Sequence, residues 1–141
     1  MKTLTMNLMV AAAALIGVAG SASAQVMSAH IPFGFKANGL QFTPGTYRIS
    51  VRGMSSGTPV VQVYNQDSRT GAVSVVSPGK DAPKNWRNRA SAMLSFACVQ
   101  NRCELRTVWA GDDARTFELP ASKNALSTLA GIINIPAIKA D

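Results

Sequence analysis

One histidine, two cysteines and seven acidic residues are all that this 141-residue chain holds of the groups that build most active sites. A metal centre draws on several His, Cys or carboxylate ligands, and His30 with one cysteine pair falls short of that set. Hydrolysis by paired carboxylates needs two Asp or Glu side chains facing across a cleft. The acids are Asp67, Asp81, Glu104, Asp112, Asp113, Glu118 and Asp141. The adjacent pair Asp112-Asp113 follows Gly111 and reads as turn chemistry. His30 as a general base has no nucleophile in a setting such as G-x-S-x-G, so it reads as a residue on a sheet surface. Phosphate-cradling loops and dinucleotide fingerprints are missing. The expectation is a protein that is not an enzyme, with no metal and no cofactor.

Long apolar runs are also scarce, and the one that exists opens the chain. Lys2 precedes a small, apolar stretch from Leu8 to Ala19, and Ala22-Ser23-Ala24 fits a cleavage site. A membrane-spanning helix is the alternative, but it needs about 20 apolar residues, and this run stops short at Gly20-Ser21. Residues 1–24 therefore read as a signal peptide, with Gln25 opening a mature chain of 141 − 24 = 117 residues. That length suits a single domain over residues 25–141, with one modest core. The implied location is periplasmic or secreted. In such a compartment two cysteines imply one disulfide.

What the chain does contain is alternation. In Ser91 to Ala110, Leu94, Phe96 and Cys98 share one face on the way in. Cys103, Leu105, Thr107 and Trp109 share one face on the way out. This is the period of a β-hairpin with one buried side. Cys98 opposite Cys103 would bring their Cα atoms to roughly 4.5–5.5 Å, within reach of a disulfide. Ile31, Phe33 and Phe35 suggest an earlier strand, at an edge or beginning at Pro32, which lacks a donor. Asn38-Gly39 predicts a type I′ hairpin turn, and Thr43-Pro44-Gly45 a type II turn. On the strand Thr46–Arg52, Tyr47, Ile49 and Val51 face one way; Thr46, Arg48, Ser50 and Arg52 face the other. Further strands are predicted at Val60–Tyr64, Ala72–Ser77 and Arg115–Leu119. Ser77 to Ala90 reads as a loop, with room for a short turn of helix. Ser122 can cap a helix over Lys123–Ala130, which Gly131 ends. A last strand holds Ile133 and Ile135 on one face, with Pro136 confining it to an edge or ending it. The fold class is all-β: an antiparallel barrel or sandwich of seven to eight strands with one short C-terminal helix.

Three separated stretches, HIPFGF with TPGTYRI, LSF…ELRTVWAG, and ELPASKNA, resemble a group of small exported bacterial proteins of unknown function. That group's pattern is an IPF-x-F strand, a PAGTY turn, a hairpin ending in Trp and an E-L-P-x-S-K segment. The resemblance covers most of the mature chain. It implies an all-β fold and transfers no catalytic residue.

The functional candidates are surfaces. The formal charge is +7, and +6 once Lys2 leaves with the signal. Lys80, Lys84, Arg87 and Arg89 surround Trp86, a cluster able to hold an anionic envelope glycan or a lipid head group. Export argues against nucleic acid. The competing reading is a solvated loop with Trp86 folded onto the sheet. The alternative function is a carrier of small apolar ligands, with Phe33, Phe35, Phe42, Tyr47, Phe96, Trp109 and Phe117 lining a barrel cavity. The simpler account of those residues is a filled core.

Overall fold

The fold was analysed in a computed structural model, which describes residues 25–53, 57–89, 91–111, 115–121 and 131–140. The expected signal peptide, the Asp112-Asp113 turn and the helix over 123–130 lie outside the described residues.

The described chain is mostly strand, as its alternation requires. In order, the elements are β1 (Gln25–Ile31), β2 (Phe35–Ala37), β3 (Leu40–Phe42), β4 (Gly45–Gly53), β5 (Pro59–Asn65), β6 (Gly71–Val75), β7 (Ser77–Asp81), α1 (Lys84–Arg89), β8 (Ala92–Val99), β9 (Arg102–Trp109), β10 (Arg115–Glu118) and β11 (Gly131–Lys139). Strand neighbours run β3-β2-β9-β8-β11-β1-β4-β5-β6. β6 continues past Val76 into β7, β7 pairs β10, and β10 returns to β9. The sheet is therefore a nearly closed barrel. β9 splits one edge between two partners: Glu104 lies in register with Lys36 of β2, and Thr107 and Val108 pair with β10. The β2–β3 hairpin fills the remaining gap. Its turn residue Asn38 donates from Nδ2 to the Val73 carbonyl of β6 at 2.9 Å.

Several expectations hold. Asn38 (φ 51°) and Gly39 (φ 76°) both take the left-handed conformation that a type I′ turn demands. Cys98 and Cys103 sit opposite each other and are bonded, with Cα atoms 4.1 Å apart. The pairing of Val99 with Arg102 tightens the hairpin loop to Gln100-Asn101.

Others are corrected. The first strand comes earlier than expected: Met27, Ala29 and Ile31 are its buried face, and Pro32 ends it before Phe33. Gly45 has no positive φ and opens β4, so Thr43-Pro44-Gly45 is not a type II turn. Residues 77–81 form a strand, because β10 gives them a ladder. Gly79 is required there: a Cβ would run into Thr116, whose Oγ1 donates to the Lys80 carbonyl at 2.8 Å. Within the same segment, the short turn of helix for which the sequence leaves room is present as α1.

Pro136 does not confine β11 to an edge, since β11 lies between β8 and β1. The Ala140 amide donates to the Val26 carbonyl, so every second residue back, Pro136 included, turns its nitrogen toward β1. The β1 ladder stops at Ile138, and Pro136 interrupts no bond in it.

Trp109 also leaves its expected face. Ser95 pairs with Thr107 but Phe96 pairs with Leu105, so Arg106 is an extra residue in β9. The bulge reverses the alternation. Val108 points inward and Trp109 outward, beneath α1. The Arg106 carbonyl left over by the bulge accepts from the Leu119 amide at 2.9 Å.

Across the first half of the barrel the core is built in rows. Met27, Ile49, Val63 and Ala72 make one row, and Ala29, Tyr47 and Asn65 the next. Asn65 is 2% exposed and organises the β5–β6 turn: its Oδ1 accepts from the amides of Asp67 (2.8 Å) and Ser68 (3.1 Å). Its Nδ2 donates to the Tyr47 hydroxyl at 2.9 Å, which donates in turn to the Thr43 carbonyl.

Candidate functional site

The basic segment is organised by its tryptophan. α1 begins after Pro83, whose carbonyl accepts from the Trp86 amide at 3.0 Å. Trp86 is 7% exposed and packs with Ala82, Met93 and Trp109 in a small second core outside the barrel. Its ring lies 6.2 Å from that of Trp109. An aromatic so placed anchors α1 to the outer face of β8 and β9, and it offers no free ring face for stacking a ligand. Lys84 and Arg87 are exposed on α1, Lys80 is exposed on β7, and Arg89 ends the helix. Trp86 thus folds onto the sheet, with cations facing water around it.

The remaining candidates are separate. His30 is exposed on β1 opposite Thr46. Cys98 and Cys103 are half-buried and pack against the core as a covalent part of the hairpin. Among the described residues no three His, Cys, Asp or Glu side chains come together as a metal site would need.

The barrel interior is occupied by its own aromatics. Phe35 touches Phe42, Tyr47 and Phe96 with ring centres 5.0–5.3 Å apart, and Phe33 meets Phe96 edge-on at 5.0 Å. Of the residues expected to line a cavity, Trp109 lies outside the barrel. Phe117 borders a recess of about 430 Å³ at one mouth, with Gln25, Val51, Pro59 and Pro78.

A second recess of about 190 Å³ lies on the outer face of β1, β4 and β5. It is lined by Val26, Arg48, Ser50, Arg52, Gln62 and Tyr64. Strand pairing explains the grouping. Ser50 stands between Val26 and Gln62, and Arg48 stands beside Tyr64. Ser50 faces outward yet is only 7% exposed, because its neighbours rise around it as walls. The sequence carries one signal of this site, the shared face of Arg48, Ser50 and Arg52. The partners on β1 and β5 come from other strands and depend on register.

Comparison with family models, with curated proteins and with solved structures returned no match. Among the described residues, no helix is long and apolar enough to cross a membrane.

Proposed function

We propose that this protein is an exported, non-catalytic binding domain of the bacterial envelope that engages anionic glycan or lipid through its outer surface. The observation that carries the reading is the sign of that surface. Among the described side chains ten exposed Lys and Arg face water: Lys36, Arg48, Arg52, Arg69, Lys80, Lys84, Arg87, Arg102, Arg115 and Lys139. Only Asp67, Asp81 and Glu118 oppose them. Such an excess attracts polyanions over roughly a Debye length, about 10 Å at 0.1 M salt. Lys84, Arg87 and Arg89, on the helix that Trp86 fixes in place, are the proposed contact together with Lys80 on β7. The disulfide and the resemblance to small exported bacterial proteins support the location. The test is retention on a heparin column, with elution moving to higher salt as charge is added and lower as it is removed. K80A/K84A/R87A/R89A should elute well before the wild type. Elution unchanged by those substitutions would refute α1 as the contact.

A further inference from the structure

The recess at the barrel mouth follows from the residues that end the strands there. The last inner-face pair of β4 and β5 is Gly53 with Pro59, one row beyond Val51 and Val61. Gly53 brings no side chain, and a Cβ placed on it would meet no atom within 4 Å among the described residues. Proline contributes only a short, rigid ring. The same recess is bordered by Pro78 and Phe117, a register pair of β7 and β10. The result is a hollow of about 430 Å³, with Val51 buried and Phe117 half-buried against the core. Sites for small organic molecules fall at about 300–1,000 Å³ and are mostly apolar with a few polar groups. Arg52 borders both this recess and the one on the outer face, so it stands where the mouth meets the outer surface. Cleavage after Ala24 would add the amino group of Gln25 as a second cation at this mouth. No Asp or Glu is among the described residues that line it.

An apolar hollow with a cation and no acid at its rim complements a molecule with an apolar body and one anionic end. A sugar chain fits it poorly, because Gln25 and Arg52 are the polar side chains among its described lining residues. We infer that this recess binds a straight-chain aliphatic carboxylate, with the acyl chain against Val51, Pro59, Pro78 and Phe117 and the carboxylate at Arg52. Guanidinium groups hold carboxylates by paired, charge-assisted hydrogen bonds. The site is separate from α1, and the inference does not rest on α1 as the contact for polyanions. An acyl chain with an anionic end occurs both as a free fatty acid and within a bilayer lipid. The recess suits the free acid, which can seat its chain without being drawn out of a membrane.

The experiment is isothermal titration of the mature, oxidised protein with hexanoate, octanoate and decanoate, and with octanol as the uncharged counterpart. Affinity should rise along the acid series, by up to roughly fourfold for each methylene buried. Octanol should bind severalfold more weakly than octanoate. R52Q should lower octanoate to the level of octanol and leave octanol unchanged, because it removes the charge and keeps the hollow. G53F should fill the hollow and weaken octanoate and octanol alike, by roughly tenfold or more. Gly53 has no positive φ, and its Cβ position is open, so the urea midpoint of G53F should match the wild type. If G53F folds poorly, R52Q and the acid series on the wild type carry the test. K80A/K84A/R87A/R89A should bind octanoate as the wild type does. Loss of octanoate binding in that variant with none in R52Q or G53F would overturn the recess and leave the α1 reading standing. Affinity indifferent to chain length, wild-type octanoate affinity in folded G53F or in R52Q, or binding to phosphatidylglycerol vesicles in place of octanoate would each overturn it.

Discussion

Replacing Tyr47 with Phe removes a single oxygen from the middle of the barrel, and the structure sets what that oxygen is worth. The side chain is fully buried, and its ring lies 5.0 Å from Phe35 and 5.8 Å from Phe42, contacts that Phe keeps. What is lost is the acceptor for Asn65 Nδ2 at 2.9 Å and the donor to the Thr43 carbonyl. Thr43 is exposed, so its carbonyl can turn to water. Asn65 is 2% exposed, and its amide is left in the core without that acceptor. A stranded buried donor costs about 1–3 kcal/mol, to which a lost hydrogen bond to a solvated partner adds about 0.5–1. The expected total is about 1.5–4 kcal/mol. For a domain of this size each kcal/mol lowers Tm by roughly 3–6 °C, so Y47F should melt roughly 5–24 °C below the wild type. N65A should cost at least as much, because it also uncaps the amides of Asp67 and Ser68. Urea denaturation of both single variants and the double gives the coupling. The double should fall short of the sum by about 1 kcal/mol. A Y47F midpoint within 0.5 kcal/mol of wild type, or strict additivity, would refute the reasoning.

Three further perturbations probe the rest of the frame. C98S/C103S opens a bridge with a sequence separation of 5, and loop-closure entropy sets its loss at about 2 kcal/mol; equal urea midpoints for the variant and the oxidised protein would show the bridge contributes nothing. W86A should release α1 from β8 and β9 at a cost of about 3 kcal/mol. Since Trp86 and Trp109 are the chain's two tryptophans, the fluorescence remaining in W86A comes from Trp109 and should shift to the red as water reaches it; an unshifted spectrum contradicts the packing. Ser74 Oγ is buried in the row of Val51 and Val61 and has no hydrogen-bond partner among the described residues. S74A should therefore raise the urea midpoint, by about 1 kcal/mol, whereas a loss of stability would reveal a partner for that hydroxyl.

Local chemistry made part of this structure readable in advance. Asn38-Gly39 dictates its turn by backbone preference alone, and the two cysteines fix their own pairing once the strands alternate around them. The inner face of β4 follows directly from Tyr47, Ile49 and Val51. Features that depend on a neighbour were not readable. Trp109 changes face because Arg106 bulges, and the bulge is stabilised by Leu119 from a later strand. SPGKD has the composition of a loop and becomes β7 because β10 supplies its ladder and Gly79 lets Thr116 approach. Pro136 sits inside the sheet because its nitrogen points where the β1 ladder has already ended. The recess on β1, β4 and β5 was half legible: alternation puts Arg48, Ser50 and Arg52 together, while Tyr64 and Gln62 join them only through the β4–β5 register. Trp86 was legible as one of two readings: a tryptophan among cations suits a contact surface or a place folded onto the sheet, and it takes the second because Met93 and Trp109 give it a place to bury.

The central claim is that the outside of this barrel holds anionic polymers by charge, with no chemistry done on them. It is tested most directly by measuring affinity for heparin oligosaccharide against salt concentration, and by recovering the ligand afterwards. Affinity should fall steadily as salt rises, by at least the equivalent of two ion pairs, and the oligosaccharide should return unaltered. No binding at low salt, affinity indifferent to salt, or a cleaved or modified ligand would contradict the account.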